Sequence, residues 1–328
     1  MGVDAGAGAG RVVVGVNTLE GCRDAVEWAA DAADRAAADL EIVRAVQFPP
    51  AVDVWTAGYA PHILDQLDVA ARDDLARARD LVRGRLHGDV RTSLVHDHPR
   101  PALLRAALGA DLLVTGARWH HRLRTGVFGG FQLGSTSLFA ASHAPCPVVV
   151  VRGPGSAGAR DLVVGFDGSP SSRSAARWAV AHAGATGAAV RVLLVWHPLP
   201  DVTLGTDPSA VGYRQDHERD EQEARTRLLE FCEELREESQ RTGPRVDVTG
   251  TAVRGDHPQD VLLAAAGDCA LLVVGSRGHS AFTSALVGST SHAVLHRATT
   301  PVVVVPDADQ AAHRRAACLR AEARDTVH

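Results

Sequence analysis

Gly275-Ser276-Arg277-Gly278 and, after nine intervening residues, Gly288-Ser289-Thr290-Ser291 have the types and spacing to hold an anion. Glycines at 275 and 278 are expected to let the backbone bend closely around a ligand, because a Cβ there would obstruct the approach and any positive φ. Gly288, Ser289 and Thr290 then open a helix, where unpaired amides, hydroxyls and the helix dipole favour a negative group. A glycine turn followed by a Ser/Thr N-cap accounts for the same letters without any ligand. Asp167 weighs towards the ligand. At the end of a strand its carboxylate could accept from a ribose hydroxyl, contact an adenine edge or hold a metal bound to phosphates. Val195, near the end of the next strand, could line the slot for the base.

These residues belong to the second of two copies of one pattern. Val12-Val13-Val14-Gly15-Val16-Asn17 returns as Leu162-Val163-Val164-Gly165-Phe166-Asp167, and the run Pro147 to Val151 returns as Pro301 to Val305. The copies lie 150 residues apart at Gly15 and Gly165, and 154 apart at Pro147 and Pro301, so a whole domain is duplicated. Strands are expected at 11–16, 40–46, 89–95, 112–116 and 147–151, then at 161–166, 189–196, 245–252, 270–275 and 301–305, with helices between. Leu271-Leu272-Val273-Val274 is apolar at every position, the mark of a strand covered on both faces. The reading is α/β: two repeated doubly wound domains, each a five-stranded parallel sheet flanked by helices. Such sheets bind ligands beyond the carboxyl ends of their strands, where the 165, 275 and 288 regions should converge.

The layout Val163-Val164-Gly165-Phe166-Asp167-Gly168-Ser169-Pro170, the glycine run from 275 to 289 and the closing Pro301 to Val305 together resemble the universal stress protein family, in its tandem two-domain form. The resemblance spans roughly 11–151 and 161–305. It implies a Rossmann-like domain that binds ATP, with magnesium, through Gly165, Asp167, Val195, Val274, Gly275, Gly278, Gly288, Ser289 and Thr290. Asp167 is also the candidate to meet the metal of Mg-ATP. Arg277 lies inside the motif and either adds charge to the phosphates or is a solvated surface arginine. The resemblance also implies pairing through the last strand, between the two halves as a pseudo-dimer or between chains as a homodimer.

The first copy departs from the pattern. Asn17 stands in place of the carboxylate, Trp119 stands where the second glycine belongs, and the gap to Gly134 is five residues longer. This half is expected to bind nucleotide weakly or not at all, with Trp119 filling the site. The expected layout is a leader at 1–10, domains at 11–152 and 161–306, a linker at 153–160 and a tail at 307–328 that forms a surface helix or is partly disordered. Gly153, Gly155 and Gly158 match a dinucleotide fingerprint by letters, but a strand follows them where that fingerprint needs a helix.

Bulk composition removes other classes. A net charge of −5 gives no electrostatic reason for a nucleic-acid or membrane partner. No apolar run nears the roughly 18 residues of a membrane span, and the first residues lack a basic start, so a cytoplasmic location is expected. All 34 basic residues are arginine, which rules out Schiff-base and P-loop lysine chemistry. Five cysteines without a C-x-x-C pair are expected to be buried thiols. His96-Asp97-His98 and His120-His121 lack further ligands at metal spacing. Asp216 to Gln240 reads as a solvated amphipathic helix. The leading expectation is an ATP-binding or sensing module for stress response, with an unknown protein partner. Its rivals are a slow ATPase or adenylyl-transferring enzyme on the same fold, and a scaffold with both sites inactive.

Overall fold

A computed structural model describes residues 10–47, 60–117, 133–153, 161–197, 210–267, 269–278 and 287–325. Residues 1–9 of the leader, most of the linker, Trp119 and His120-His121 lie outside the described residues. The chain divides into two compact units, Met1–Gly155 together with Ala308–His328, and Ser156–Asp307.

The first unit runs β1 (Arg11–Val16), α1 (Leu19–Arg35), β2 (Asp39–Ala45), α2 (Ala60–Val82), β3 (Val90–Val95), α3 (Pro99–Ala106), β4 (Leu112–Gly116), α4 (Ser135–His143) and β5 (Val148–Val151). Its strands are parallel in the order β3-β2-β1-β4-β5. Register places Val14 between Ile42 and Val114, and all three are fully buried. Thr18 starts α1 by accepting from the Gly21 amide, and Pro99 fixes the first turn of α3.

The second unit repeats this with β6 (Asp161–Phe166), α5 (Pro170–Thr186), β7 (Ala189–Trp196), α6 (Ala210–Thr242), β8 (Val248–Arg254), α7 (Pro258–Ala265), β9 (Leu271–Gly275), α8 (Ser289–Arg297) and β10 (Val302–Val305). Its order is β10-β9-β6-β7-β8, again parallel. Strand β8 starts three residues later than the pattern indicates, because its first partner, Val190, pairs with Val248. In α6, Leu228, Phe231 and Leu235 are buried, whereas Leu229 is 55% exposed. Phe231 stacks on Phe166 with ring centroids 4.3 Å apart, and Arg173 lies over the pair.

The tail forms α9 (Ala308–Asp325), which belongs to the first unit and not to the second it follows in sequence. Arg314 on α9 is buried and donates through Nη1 to the Ala144 carbonyl at 3.1 Å, at the C-terminal end of α4. A cation there satisfies a helix-end acceptor and suits the dipole. No helix among the described residues is long and apolar enough to cross a membrane.

Candidate functional site

At the carboxyl ends of β6, β7 and β9 lies a cavity of about 390 Å³. Gly165, Asp167, Val195, Val274, Gly275, Arg277, Gly278, Gly288, Ser289 and Thr290 all line it. Strand β6 is where the chain order of the sheet reverses, the place at which open α/β sheets leave a crevice. Phe166, Leu193, Leu262 and Pro258 add apolar wall, Ser291 of the motif adds a hydroxyl, and Ser172 and His197 add polar groups that sequence reasoning did not single out.

The polar side is built from two loops. After β6, Ser169 caps α5 by accepting from the Ser172 amide, and Pro170 follows at the first helical position. The Asp167 carboxylate turns back onto this loop, its Oδ1 accepting from the Ser169 amide at 2.9 Å. Gly168 between them has φ of +83°, so this turn is where a glycine is needed for its backbone conformation. Ser169 Oγ then donates to the Arg277 carbonyl at 3.3 Å, joining the first loop to the one after β9.

The glycines of the motif work differently from the sequence expectation. None of Gly275, Gly278 and Gly288 has a positive φ. A Cβ on Gly275 would come within 2.7 Å of the Ser171 carbonyl carbon, so this glycine admits the start of α5. On Gly278 it would stand 2.6 Å from Asp167 Oδ2, so that glycine makes room for the carboxylate. On Gly288 it would meet nothing closer than 3.5 Å, an ordinary contact. The Gly288 amide is also not unpaired, since it donates to the Ser276 carbonyl at 2.8 Å.

The donors at the start of α8 are therefore those of Ser289, Thr290 and Ser291. The ladder's first bond runs from the His292 amide to the Gly288 carbonyl, and among the described residues no side chain caps this end, Gly288 itself having none to offer. Ser291 Oγ donates to the Gly275 carbonyl at 2.6 Å, locking the helix start to the end of β9. The first unit has the same brace, Ser137 Oγ to the Gly116 carbonyl at 3.0 Å. The Gly-Ser-Thr-Ser repeat at 134–137 and 288–291 was the sequence signal for it. Arg277 lines the cavity with its Nε buried and without a hydrogen-bond partner among the described residues. A buried guanidinium nitrogen beside an uncapped helix start is a fit for an anionic group.

The first unit has a cavity of about 400 Å³ at the matching place, lined among others by Gly15, Asn17, Val43, Gly116, Gly134 and Thr136. Cys22 lines it too and is partly exposed, whereas the other four cysteines are buried, and all five are free thiols. Burial pushes the Cys22 thiol up despite backbone hydrogen bonds at Asn17 and Thr18. Of the histidines set aside as ligands, the two among the described residues have local partners. His96 Nε2 lies 2.8 Å from Asp68 Oδ1, and His98 Nδ1 caps α3 by accepting from the Arg100 amide. Asp97 pairs with Arg105.

Comparison with known proteins gives the family and the fold. A sequence model of the universal stress protein family matches residues 8–152 and again 158–306. A universal stress protein of Mycolicibacterium smegmatis is 33% identical over 303 residues, covering 90% of this chain and 96% of its own. One of Mycobacterium tuberculosis is 28% identical over 308 residues, covering 89% and 95%. The crystal structure of a universal stress protein from Archaeoglobus fulgidus shares the fold, with a TM-score of 0.61 at 16% identity over 92% of this chain and 98% of its own. The chain therefore belongs to the universal stress protein family and carries the family's domain twice in tandem.

Proposed function

We propose that the second unit binds ATP with magnesium and acts as a nucleotide-dependent binding or sensing module in stress response. The observation that carries this reading is the buried Nε of Arg277, without a hydrogen-bond partner among the described residues, lining the same cavity as the start of α8. ATP would bring to these groups a polyphosphate and a flat apolar base. Arg277 and the amides of Ser289 and Thr290 hold the phosphates, Asp167 meets the metal or the ribose, and Leu193, Val195 and Leu262 flank the base. An occupant held at both ends ties the Gly275 to Gly278 loop to the start of α8, and so changes the surface that a protein partner would read.

In the first unit Asn17 replaces the carboxylate, which supports weaker metal-dependent binding there. The last strands β5 and β10 each have one neighbour within their own unit and are apolar at every position. This supports pairing through them, between the halves or between chains.

The test is calorimetric titration of the full chain with Mg-ATP, alongside mass spectrometry of the nucleotide that co-purifies with it. Arg277→Met removes a charge-assisted hydrogen bond and should weaken binding by about tenfold or more. Gly278→Trp should abolish it by displacing the Asp167 carboxylate and filling the cavity. Undiminished affinity in both variants, or no ATP binding by the parent protein, would refute the assignment.

A further inference from the structure

His292 and His296 stand four residues apart on α8, both exposed, with ring centroids 4.5 Å apart and planes tilted by 43°. Positions i and i+4 of a helix lie on one face one turn apart, so neither side chain must move far for its ring to meet the other. We propose that this pair is a binding site for a borderline transition-metal cation, of the Cu²⁺, Ni²⁺ or Zn²⁺ class. Nothing in the nucleotide reading of the cavity is needed for it.

The chemistry follows from the ligand type. Two neutral imidazoles offer nitrogen lone pairs that suit these ions at about 2.0 to 2.1 Å, and they do not suit magnesium or calcium, which take oxygen. Among the described residues no group of three or more histidine, cysteine or acidic side chains is placed to hold a metal, so the described residues give the site two protein ligands, with water to complete the shell. Such a site is open and exchangeable, and ranks the ions by their intrinsic affinity for nitrogen, with Cu²⁺ ahead of Ni²⁺ and Zn²⁺. His296 lies in the last turn of α8, where the dipole favours a cation. The adjacent Arg297 is drawn away by Asp260, its Nη1 lying 2.6 Å from Oδ1.

The first unit supplies an internal contrast. The positions matching His292 and His296 are Leu138 and Ser142, and Ser142 Oγ spends itself on the Leu138 carbonyl at 2.7 Å. The pair is thus a property of the second copy alone. It also sits on a short element. Nine residues form too few turns to be a stable helix in isolation, so a metal bridging two successive turns adds order to α8.

The experiment uses the untagged, metal-free full chain titrated with Cu²⁺ against a weak competing chelator. His292→Gln and His296→Gln serve as variants, and circular dichroism confirms that both fold. The chain is expected to take up one more Cu²⁺ at its tightest site than either variant. Each single substitution should weaken that site at least tenfold, and the double variant should be no worse than the singles. Electron paramagnetic resonance should count two nitrogen ligands in the parent and one in each variant. Hydrogen exchange across 289–297 should slow on adding Ni²⁺ in the parent chain only. Equal stoichiometry and affinity in parent and variants would overturn the proposal. Additive losses, marking two independent single-histidine sites, would overturn it as well.

Discussion

Gly275 and Gly116 occupy the same place in the two copies, the last residue of the fourth strand of each, yet their surroundings differ enough to separate them by experiment. A methyl on Gly275 would lie 2.7 Å from the carbonyl carbon of Ser171 and 2.8 Å from both its Cβ and the Ser172 nitrogen. These are backbone atoms or atoms next to them, at the start of α5, pinned by the Ser169 cap. They cannot rotate away, so Gly275→Ala should fall at the upper end of the overpacking range, about 3 kcal/mol. For a unit of this size that corresponds to a midpoint lowered by roughly 6 to 12 °C. A methyl on Gly116 would meet only the Gly21 carbonyl at 3.5 Å and two atoms at 3.7 Å. Gly116→Ala should therefore stay within about 0.5 kcal/mol of the parent, or gain slightly from a less flexible unfolded chain. Thermal unfolding followed by calorimetry gives the two midpoints, and hydrogen exchange locates the loosened segment, expected at α5 and β9. If Gly275→Ala lowers the midpoint no more than Gly116→Ala does, close approach of the helix is not what that glycine serves.

Cys146, whose thiol burial pushes up to about 12, should resist iodoacetamide in the native protein at pH 8, while the partly exposed Cys22 reacts first; mass spectrometry of the labelled peptides checks the order. His87 and His96 hold the Asp34 and Asp68 carboxyls below their usual range through hydrogen bonds. The stability this adds is fully present above the ordinary carboxylate pKa and lost as pH falls through the lowered values. The double replacement of both histidines by asparagine should thus be less stable than the parent near neutral pH, with the gap closing below about pH 4 in urea titrations. Arg314→Met leaves the Ala144 carbonyl without its donor and should cost about 1 to 3 kcal/mol. Hydrogen exchange should quicken across Ser135–His143 and remain unchanged across Ser289–Arg297.

Much of the site could be read from the letters because the sheet itself fixes it. Strands such as Val12 to Val16 and Leu271 to Val274 are apolar throughout, which only a sheet covered on both faces allows, and parallel winding then leaves a crevice at known strand ends. Any residue at those ends, Asp167 or Val195 or Gly275, is delivered to the cavity by topology alone. What the letters did not carry was how neighbouring loops meet. That Gly275 yields to Ser171, or that Gly278 yields to the Asp167 carboxylate, depends on segments more than a hundred residues apart along the chain. Gly168 looked like one glycine among many, and its φ of +83° emerges only when Asp167 folds back onto the Ser169 amide. His197 was passed over because a histidine just beyond a strand has no spacing partner to mark it. His292 and His296 have helical spacing in the letters, but that spacing becomes a pair of neighbouring rings only on the face of α8.

Helix α9 also sets the order in which the protein can be finished. A nascent chain leaves the ribosome N-terminus first, and domains ordinarily fold as they emerge. Here the unit begun by residue 10 receives its final helix only with residues 308–325, after the entire second unit has been synthesised. Until residues 308–325 have emerged, Arg314 cannot meet the Ala144 carbonyl at the end of α4, so the earlier-made unit gains this helix only after the second unit's strands have been made.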